Sequence, residues 1–209
     1  MEVQLAGLDA YIDDIWGKLP TDSVAFKREH INVLEDEFLE DIGKIFARNK
    51  VQDRLGLYVN HRHFELQSGE RLVEYGAVQT PWQLHNAAAD VKARVTPKTW
   101  AFFEDKLIPT EFKYATGVEA VQPIHVPAEF LNEFRAYIDA KNLTSRLGIS
   151  TRSDDAWDPQ SMFELTVGRV SIIVPNEQFP EHDVTHVGWF FDADGAKVAR
   201  DCIRCFAHG

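Results

Sequence analysis

The sequence predicts an α+β fold, in which N-terminal helices are followed by a mostly antiparallel, curved β-sheet with one interposed helix. Three observations support this class: helical apolar spacing near the start and once more near residue 130, short alternating segments elsewhere, and glycine-containing turns between those segments. Helices and strands that are grouped in this way differ from the regular strand–helix alternation of a parallel sheet. No repeat or linker is visible. Residues 1–209 are therefore expected to form one domain, with residues 1–50 as a helical segment packed on the sheet.

The helices are predicted from their apolar spacing. Apolar residues recur at helical intervals within residues 3–16 and again within residues 27–49, where acidic residues occupy the opposite side. The interposed helix is expected over residues 128–141, because Pro127 precedes it and proline suits the first turn of a helix.

The strands are predicted mainly as hairpins. Residues 54–66 and 71–78 form the first, with Ser68-Gly69 as a two-residue turn. The second joins residues 100–103 to 107–114, and the third joins residues 162–167 to 169–174 around Gly168. Single strands are expected at residues 146–151 and 186–192.

Composition and charge exclude several functions. The chain carries a net charge of −11, which is unsuited to a nucleic-acid partner because phosphate binding needs clustered Lys and Arg. No apolar run approaches the ~20 residues of a membrane-spanning helix, and the first residues do not read as a signal peptide. Two cysteines do not make a disulfide framework, so the expected location is the cytoplasm.

The first hairpin carries the main candidate site, in the stretch YVNHRHFEL. Side chains alternate along a strand, so His61, His63 and Glu65 are expected on one face. The predicted turn would place His63 opposite Glu74, and His61 opposite Gly76. Residues directly opposed in a hairpin have Cβ atoms about 5 Å apart, which is close enough for an imidazole to contact a carboxylate.

Two kinds of chemistry are open to this cluster. His61, His63 and Glu74 are candidate catalytic residues acting as an acid–base set. Alternatively, His61 and His63, with Glu65 as a further candidate, bind a divalent transition metal such as zinc or iron. The structural alternative is a hairpin face that simply meets water.

The His-x-His strand resembles the first motif of the cupins, small metal-binding β-barrels. The resemblance covers residues 56–76, and it implies a metal bound by His61 and His63. Gly56 stands one residue closer to the first histidine than the motif has it. Gln67 and Ser68 occupy the places of the motif's glutamate, and no second cupin motif follows.

A second candidate site lies near the C-terminus. Cys202 and Cys205 have C-x2-C spacing, and His182 and His186 have H-x3-H spacing, which together could form a structural zinc site. A disulfide, a redox pair or two unpaired thiols remain alternatives.

Two functional hypotheses follow. The first is an enzyme that acts on a small organic molecule in a sheet-lined pocket through His61, His63 and Glu74; isomerase, hydrolase and metal-dependent oxygenase all remain open. The second is a non-enzymatic ligand-binding or interaction module, in which any metal is structural and is bound by the C-terminal histidines and cysteines.

Overall fold

The computed structural model describes residues 1–27, 34–117, 122–152, 162–175, 184–198 and 203–206. The strands in these ranges are β1 (Glu2–Gln4), β2 (Leu55–Val59), β3 (Glu70–Tyr75), β4 (Val78–Gln83), β5 (Val95–Phe103), β6 (Lys106–Tyr114), β7 (His125–Pro127), β8 (Leu147–Thr151), β9 (Met162–Val167), β10 (Val170–Pro175), β11 (Val184–Trp189) and β12 (Ile203–Phe206).

Ten of these strands form a closed barrel, in the order β10-β4-β3-β6-β5-β8-β2-β11-β12-β9, with β9 returning to β10. Most neighbouring pairs are antiparallel, whereas β3–β6 and β12–β9 are parallel. The remaining strands, β1 and β7, pair with each other outside the barrel. The predicted α+β class with a curved, mostly antiparallel sheet is therefore confirmed.

The helices in the described ranges are α1 (Asp13–Lys18), α2 (Asp22–Ala25), α3 (Asp36–Arg48), α4 (Ala89–Lys92) and α5 (Ala128–Ala140). The interposed helix is confirmed by α5. The helix predicted over residues 27–49 is confirmed from Asp36 by α3, whereas Lys27, Leu34 and Glu35 are not helical and residues 28–33 lie outside the described residues. None of the helices in the described ranges has the length and apolar character needed to cross a membrane.

The prediction of one helix over residues 3–16 is wrong. Residues Glu2–Gln4 pair with β7 as a strand, and a 3-10 turn at Leu8–Ala10 precedes α1. Leu5 and Ile15 are buried in two different parts of the core, so one helical face does not bury both. The backbone of residues 2–4 pairs with β7 instead of forming helical hydrogen bonds.

The helices cover the outside of the barrel in two apolar clusters. In the larger cluster, α3 and α5 meet through Phe46 and Phe130, whose ring centroids lie 5.0 Å apart in an edge-on arrangement. In the smaller cluster, Trp16 of α1 packs with Val73 of β3 and Phe112 of β6. Because side chains alternate along a strand, Glu74 and Glu111, which follow Val73 and precede Phe112, point into the barrel.

The second and third predicted hairpins are confirmed as β5–β6 and β9–β10. The first is wrong: β2 pairs with β8 and β11, and β3 pairs with β4 and β6. The strand β2 ends at Val59, and residues 60–69 run along α1 and α2 before β3 begins. Backbone and side-chain hydrogen bonds hold this connection, including Trp16 Nε1 to the Phe64 carbonyl at 2.8 Å.

Candidate metal centre

The candidate centre begins where β2 ends. His61 and His63 lie just past this strand, so the alternation of the strand does not set their directions. The residue between them, Arg62, fixes the local backbone: its N–H donates to the Pro20 carbonyl at 2.9 Å, and its carbonyl accepts from the Asp22 N–H at 3.0 Å. These contacts bring the N-terminus of α2 against the two histidines.

Four side chains converge at this point. His61 Nε2 lies 3.2 Å from His63 Nε2 and 3.6 Å from Cys205 Sγ, and single donor atoms of these three residues all lie within 4.8 Å of one another. Glu164 adds a carboxylate, with one oxygen 3.2 Å from His63 Nε2 and the other 3.9 Å from Cys205 Sγ. His61, Glu164 and Cys205 are 2%, 6% and 0% exposed, so the cluster is shielded from water.

The other ring nitrogen of each histidine is engaged away from the cluster. His61 Nδ1–H donates to the Val59 carbonyl at 2.7 Å, and His63 Nδ1 lies 3.4 Å from a carboxylate oxygen of Asp22. Phe26 and Tyr58 pack against the His61 ring, with centroid distances of 4.8 and 5.5 Å. This arrangement turns the Nε2 atom of both rings towards Cys205 and Glu164.

The electrostatics of the cluster differ from residue to residue. Burial, assisted by neighbouring His63, lowers the pKa of His61 to about 4, so this ring is neutral. Burial alone would lower the pKa of His63 as well, but its hydrogen bonds to Asp22, Cys205 and Glu164 outweigh that effect and raise the pKa well above its usual value. Burial raises the pKa of Cys205 to about 12. A proton on His63 therefore balances the negative charges of Asp22 and Glu164 when no metal ion is bound.

Glu164 is the buried anion of the cluster. Burial would raise its pKa, but the hydrogen bond and charge of His63, followed by the charge of Lys98, lower the pKa to about 2. A carboxylate buried in this way requires a positive partner close by.

Charged side chains continue from the cluster into the barrel. The Tyr58 hydroxyl donates to Glu111 at 3.1 Å, and Lys98 Nζ lies 2.6 Å from Glu74 and 4.0 Å from Glu111. Burial raises the pKa of Glu111 to about 7, although the charge of Lys98 opposes the shift. The charges of Glu74, Glu111 and Glu164 outweigh the effect of burial on Lys98 and raise its pKa.

The predicted register between the histidines and Glu74 is wrong. Glu74 pairs with Gln79 on β4 and with Lys113 on β6, because the strand opposite β3 is not β2. Its carboxylate contacts Lys98 rather than His63. Glu65 does not join the histidines either: its side chain is 71% exposed and forms an ion pair with Arg62.

The structure does not bring the candidate C-terminal ligands Cys205 and His186 together. Cys205 is a buried free thiol beside His61, whereas His186 is exposed on β11. Thr185, not His186, is the residue paired with Cys205, and neighbours along a strand face opposite sides. His182 and Cys202 lie outside the described residues.

Sequence reasoning did not find Glu164 or Asp22. Glu164 stands between Phe163 and Leu165 in a predicted strand, and a charged residue between apolar neighbours there was a usable signal of a polar interior. Asp22 lies at the start of α2, where an acidic residue is also expected for electrostatic reasons alone.

A cavity of about 270 Å³ lies next to the cluster but does not touch His61, His63 or Glu74. Its walls include the apolar side chains of Val24, Ala25 and Val59, and the cations Lys18 and Arg146 also line it. The cavity and the histidine cluster are therefore separate features that share α2 and the end of β2.

Comparison of this chain with protein-family models, with curated proteins and with solved structures found no match. The cupin resemblance of residues 56–76 gains no support from these comparisons.

Proposed function

We propose that this protein binds a small organic molecule and contains a buried divalent-metal centre whose role is structural. The observation that supports the metal is the convergence of His61 Nε2, His63 Nε2 and Cys205 Sγ within 4.8 Å. Imidazole and thiolate are ligands that suit zinc and iron. A structural role is favoured because the cluster is shielded and protein groups surround it, whereas catalytic zinc keeps a position open.

The small molecule is proposed to bind in the 270 Å³ cavity, which is slightly smaller than typical ligand pockets of roughly 300 to 1,000 Å³. Its apolar walls and its two cations suit a compact molecule with an anionic end. A cytoplasmic location accords with this function, because Cys205 binds a metal as a thiolate, which requires that its sulfur stay reduced.

A panel of small carboxylic acids tests the ligand proposal through thermal stabilisation of the purified protein. Acids that fill the cavity should raise the unfolding temperature of the wild type and should lose that effect in Arg146→Met. An Arg135→Met variant is the matched control, because Arg135 lies on α5 and pairs with Asp105 away from the cavity. Equal stabilisation of all three proteins would contradict the proposal.

An enzyme acting on a small organic molecule is the second candidate function. It is favoured by Tyr58, Glu111 and Lys98, since buried charges rarely improve stability and a carboxyl with a pKa of about 7 suits proton transfer. A turnover that depends on Glu111, tested with Glu111→Gln in a substrate screen, would favour this candidate over the first. Retention of that turnover in Glu111→Gln would exclude Glu111 as its acid–base residue.

A further inference from the structure

We propose that Glu164 is the fourth ligand of a tetrahedral zinc site with His61, His63 and Cys205, and that the ion holds β12 against β9. This inference rests on the proposed metal centre, and it deepens that proposal by naming the donor set, the ion and what the ion does.

The distances between the donor atoms of His61, His63 and Cys205 are compatible with a tetrahedral site, and the Glu164 carboxylate lies beside two of them. With ligand bonds of about 2.0 to 2.3 Å, neighbouring donor atoms of such a site lie roughly 3.3 to 3.6 Å apart. The observed separations are 3.2 Å between the two Nε2 atoms and 3.2 Å from His63 Nε2 to Glu164. They are 3.6 Å from His61 Nε2 to Cys205 Sγ and 3.9 Å from that sulfur to the other oxygen of Glu164. The carboxylate must therefore rotate for one of its oxygens to bind the ion together with the other three donors.

The chemistry of the donors selects a transition metal. Binding of the ion must displace the proton of His63 and the proton of the Cys205 thiol, which are released to solvent. The resulting donors, two imidazoles, one thiolate and one carboxylate, suit zinc, whereas magnesium and calcium prefer oxygen ligands alone. Zinc accepts all three donor types in four-coordinate geometry, and a closed set of four protein donors is the pattern of a structural site.

Both imidazoles are also oriented in the way that metal-binding histidines usually are. Such histidines donate their second ring N–H to a carbonyl or a carboxylate, which fixes the ring and makes the ligating nitrogen more basic. The Val59 carbonyl takes this role for His61, and the Asp22 carboxylate takes it for His63. Asp22 is therefore a positioning residue, because it acts through His63.

The location of the donors gives the ion its role. Cys205 and Glu164 are the register pair through which β12 meets β9, so they lie at the seam between these two strands of the barrel. Within the described residues β12 spans four positions, and its pairing with β11 contains an irregularity between His186 and Gly188. An ion bound by both strands and by the residues after β2 would tie three segments together at this seam.

Titration of metal-stripped wild-type protein with cobalt(II), a spectroscopic substitute for zinc, is the first test. One equivalent should produce tetrahedral visible absorption and a thiolate-to-cobalt charge-transfer band, and one equivalent of zinc should displace both. Absence of a saturable one-to-one signal in folded wild type would overturn this inference and the proposed metal centre together.

Single substitutions then separate the fourth ligand from the rest. Glu164→Gln should keep the thiolate band but weaken cobalt binding by at least about 100-fold, which exceeds the usual effect of losing an outer partner. The matched control is Glu70→Gln, because Glu70 is also a buried strand glutamate but pairs with Arg169. Unchanged affinity in Glu164→Gln would overturn the inference while leaving a three-ligand centre intact.

Cys202→Ser distinguishes this site from the C-terminal set. The variant should bind one equivalent of cobalt as wild type does, whereas Cys205→Ser should lose the charge-transfer band. Loss of the metal from Cys202→Ser would favour the set that includes His182 and His186, and would overturn the proposal.

Hydrogen exchange of the wild-type protein tests the role of the ion without any substitution. Removal of zinc should accelerate amide exchange in β12 and at the facing end of β9, while α5 remains protected. Equal protection of β12 with and without zinc would overturn the seam role, even if the ion binds.

Discussion

The Nε2 atoms of His61 and His63 lie 3.2 Å apart, with both rings shielded from water. Two neutral imidazoles make such a contact only when one Nε2 carries a proton and donates it to the other. The pair therefore needs either a proton or a metal ion, and the nearby Glu164 carboxylate favours a positive charge at the same place. Four predictions follow from this cluster and from the charges beside it.

Chelation should destabilise the folded protein. An ion that binds only the folded state contributes about 2.7 kcal/mol when its free concentration is 100 times its Kd. For a chain of 209 residues, this corresponds to a decrease in unfolding temperature of roughly 5 to 10 °C. Calorimetry with and without a chelator measures the decrease, which should nearly vanish in Cys205→Ser. An equal decrease in wild type and Cys205→Ser would show that the chelator acts elsewhere.

Asp22→Asn should weaken metal binding without removing a ligand. Loss of the carboxylate that orients His63 is expected to lower zinc affinity by about 10- to 100-fold, because the ring is less well fixed and less basic. Asp14→Asn is the control, since Asp14 is an exposed acid at the start of α1. Competition with a zinc-binding dye measures both affinities, and similar values for the two variants would contradict a positioning role.

Lys98→Met should be strongly destabilising. It leaves Glu74 and Glu111 buried without their shared cation, and removing one partner of a buried ion pair costs about 3 to 5 kcal/mol. Lys44→Met is the matched control, because the exposed pair of Lys44 with Asp41 contributes less than about 1 kcal/mol. Urea unfolding provides both values. If Lys98→Met lowers the free energy of unfolding by no more than Lys44→Met does, water reaches the interior carboxylates.

Glu111→Gln should change how stability depends on pH. Burial raises the pKa of Glu111 from 4.5 to about 7, so between these pH values the folded state binds more protons than the unfolded state. The stability that this group contributes is therefore present below pH 4.5 and is lost as the pH rises through about 7.

The free energy of unfolding of wild type minus that of Glu111→Gln should accordingly fall as the pH increases over this range. Urea titrations at several pH values measure this difference, and the exposed Glu40→Gln variant provides the control. A difference that is constant or rises with pH would contradict the raised pKa.

The parts of the fold that depend on local pattern could be predicted from the sequence. The helical spacing of α3, the proline before α5 and the turn at Gly168 each specify a nearby structure, and all three appear where expected. The partner of β2 could not be predicted in this way. The turn at Ser68-Gly69 predicts β3 as the partner of β2. The observed pairing of β2 with β8 and β11 depends on contacts that are distant in sequence.

The same reason explains how much of the candidate site was predictable. His61 and His63 were found because they are close together in sequence, and Cys205 was found as half of another motif. Its meeting with His61 spans a separation of 144 residues, which no local pattern encodes. Glu74 was assigned to the cluster only through the wrong hairpin register. The carboxylate that lies beside His63 in the structure is that of Glu164.

The pairing of β12 with β9 also determines which backbone groups become exposed when the barrel opens. If β12 detaches, β9 and β11 each gain an edge whose N–H and C=O groups have no partner on that side. Such edges are templates for pairing with another chain, so aggregation would begin at these two strands. A newly made chain carries the same exposure until residues 203–206 have been synthesised and have paired.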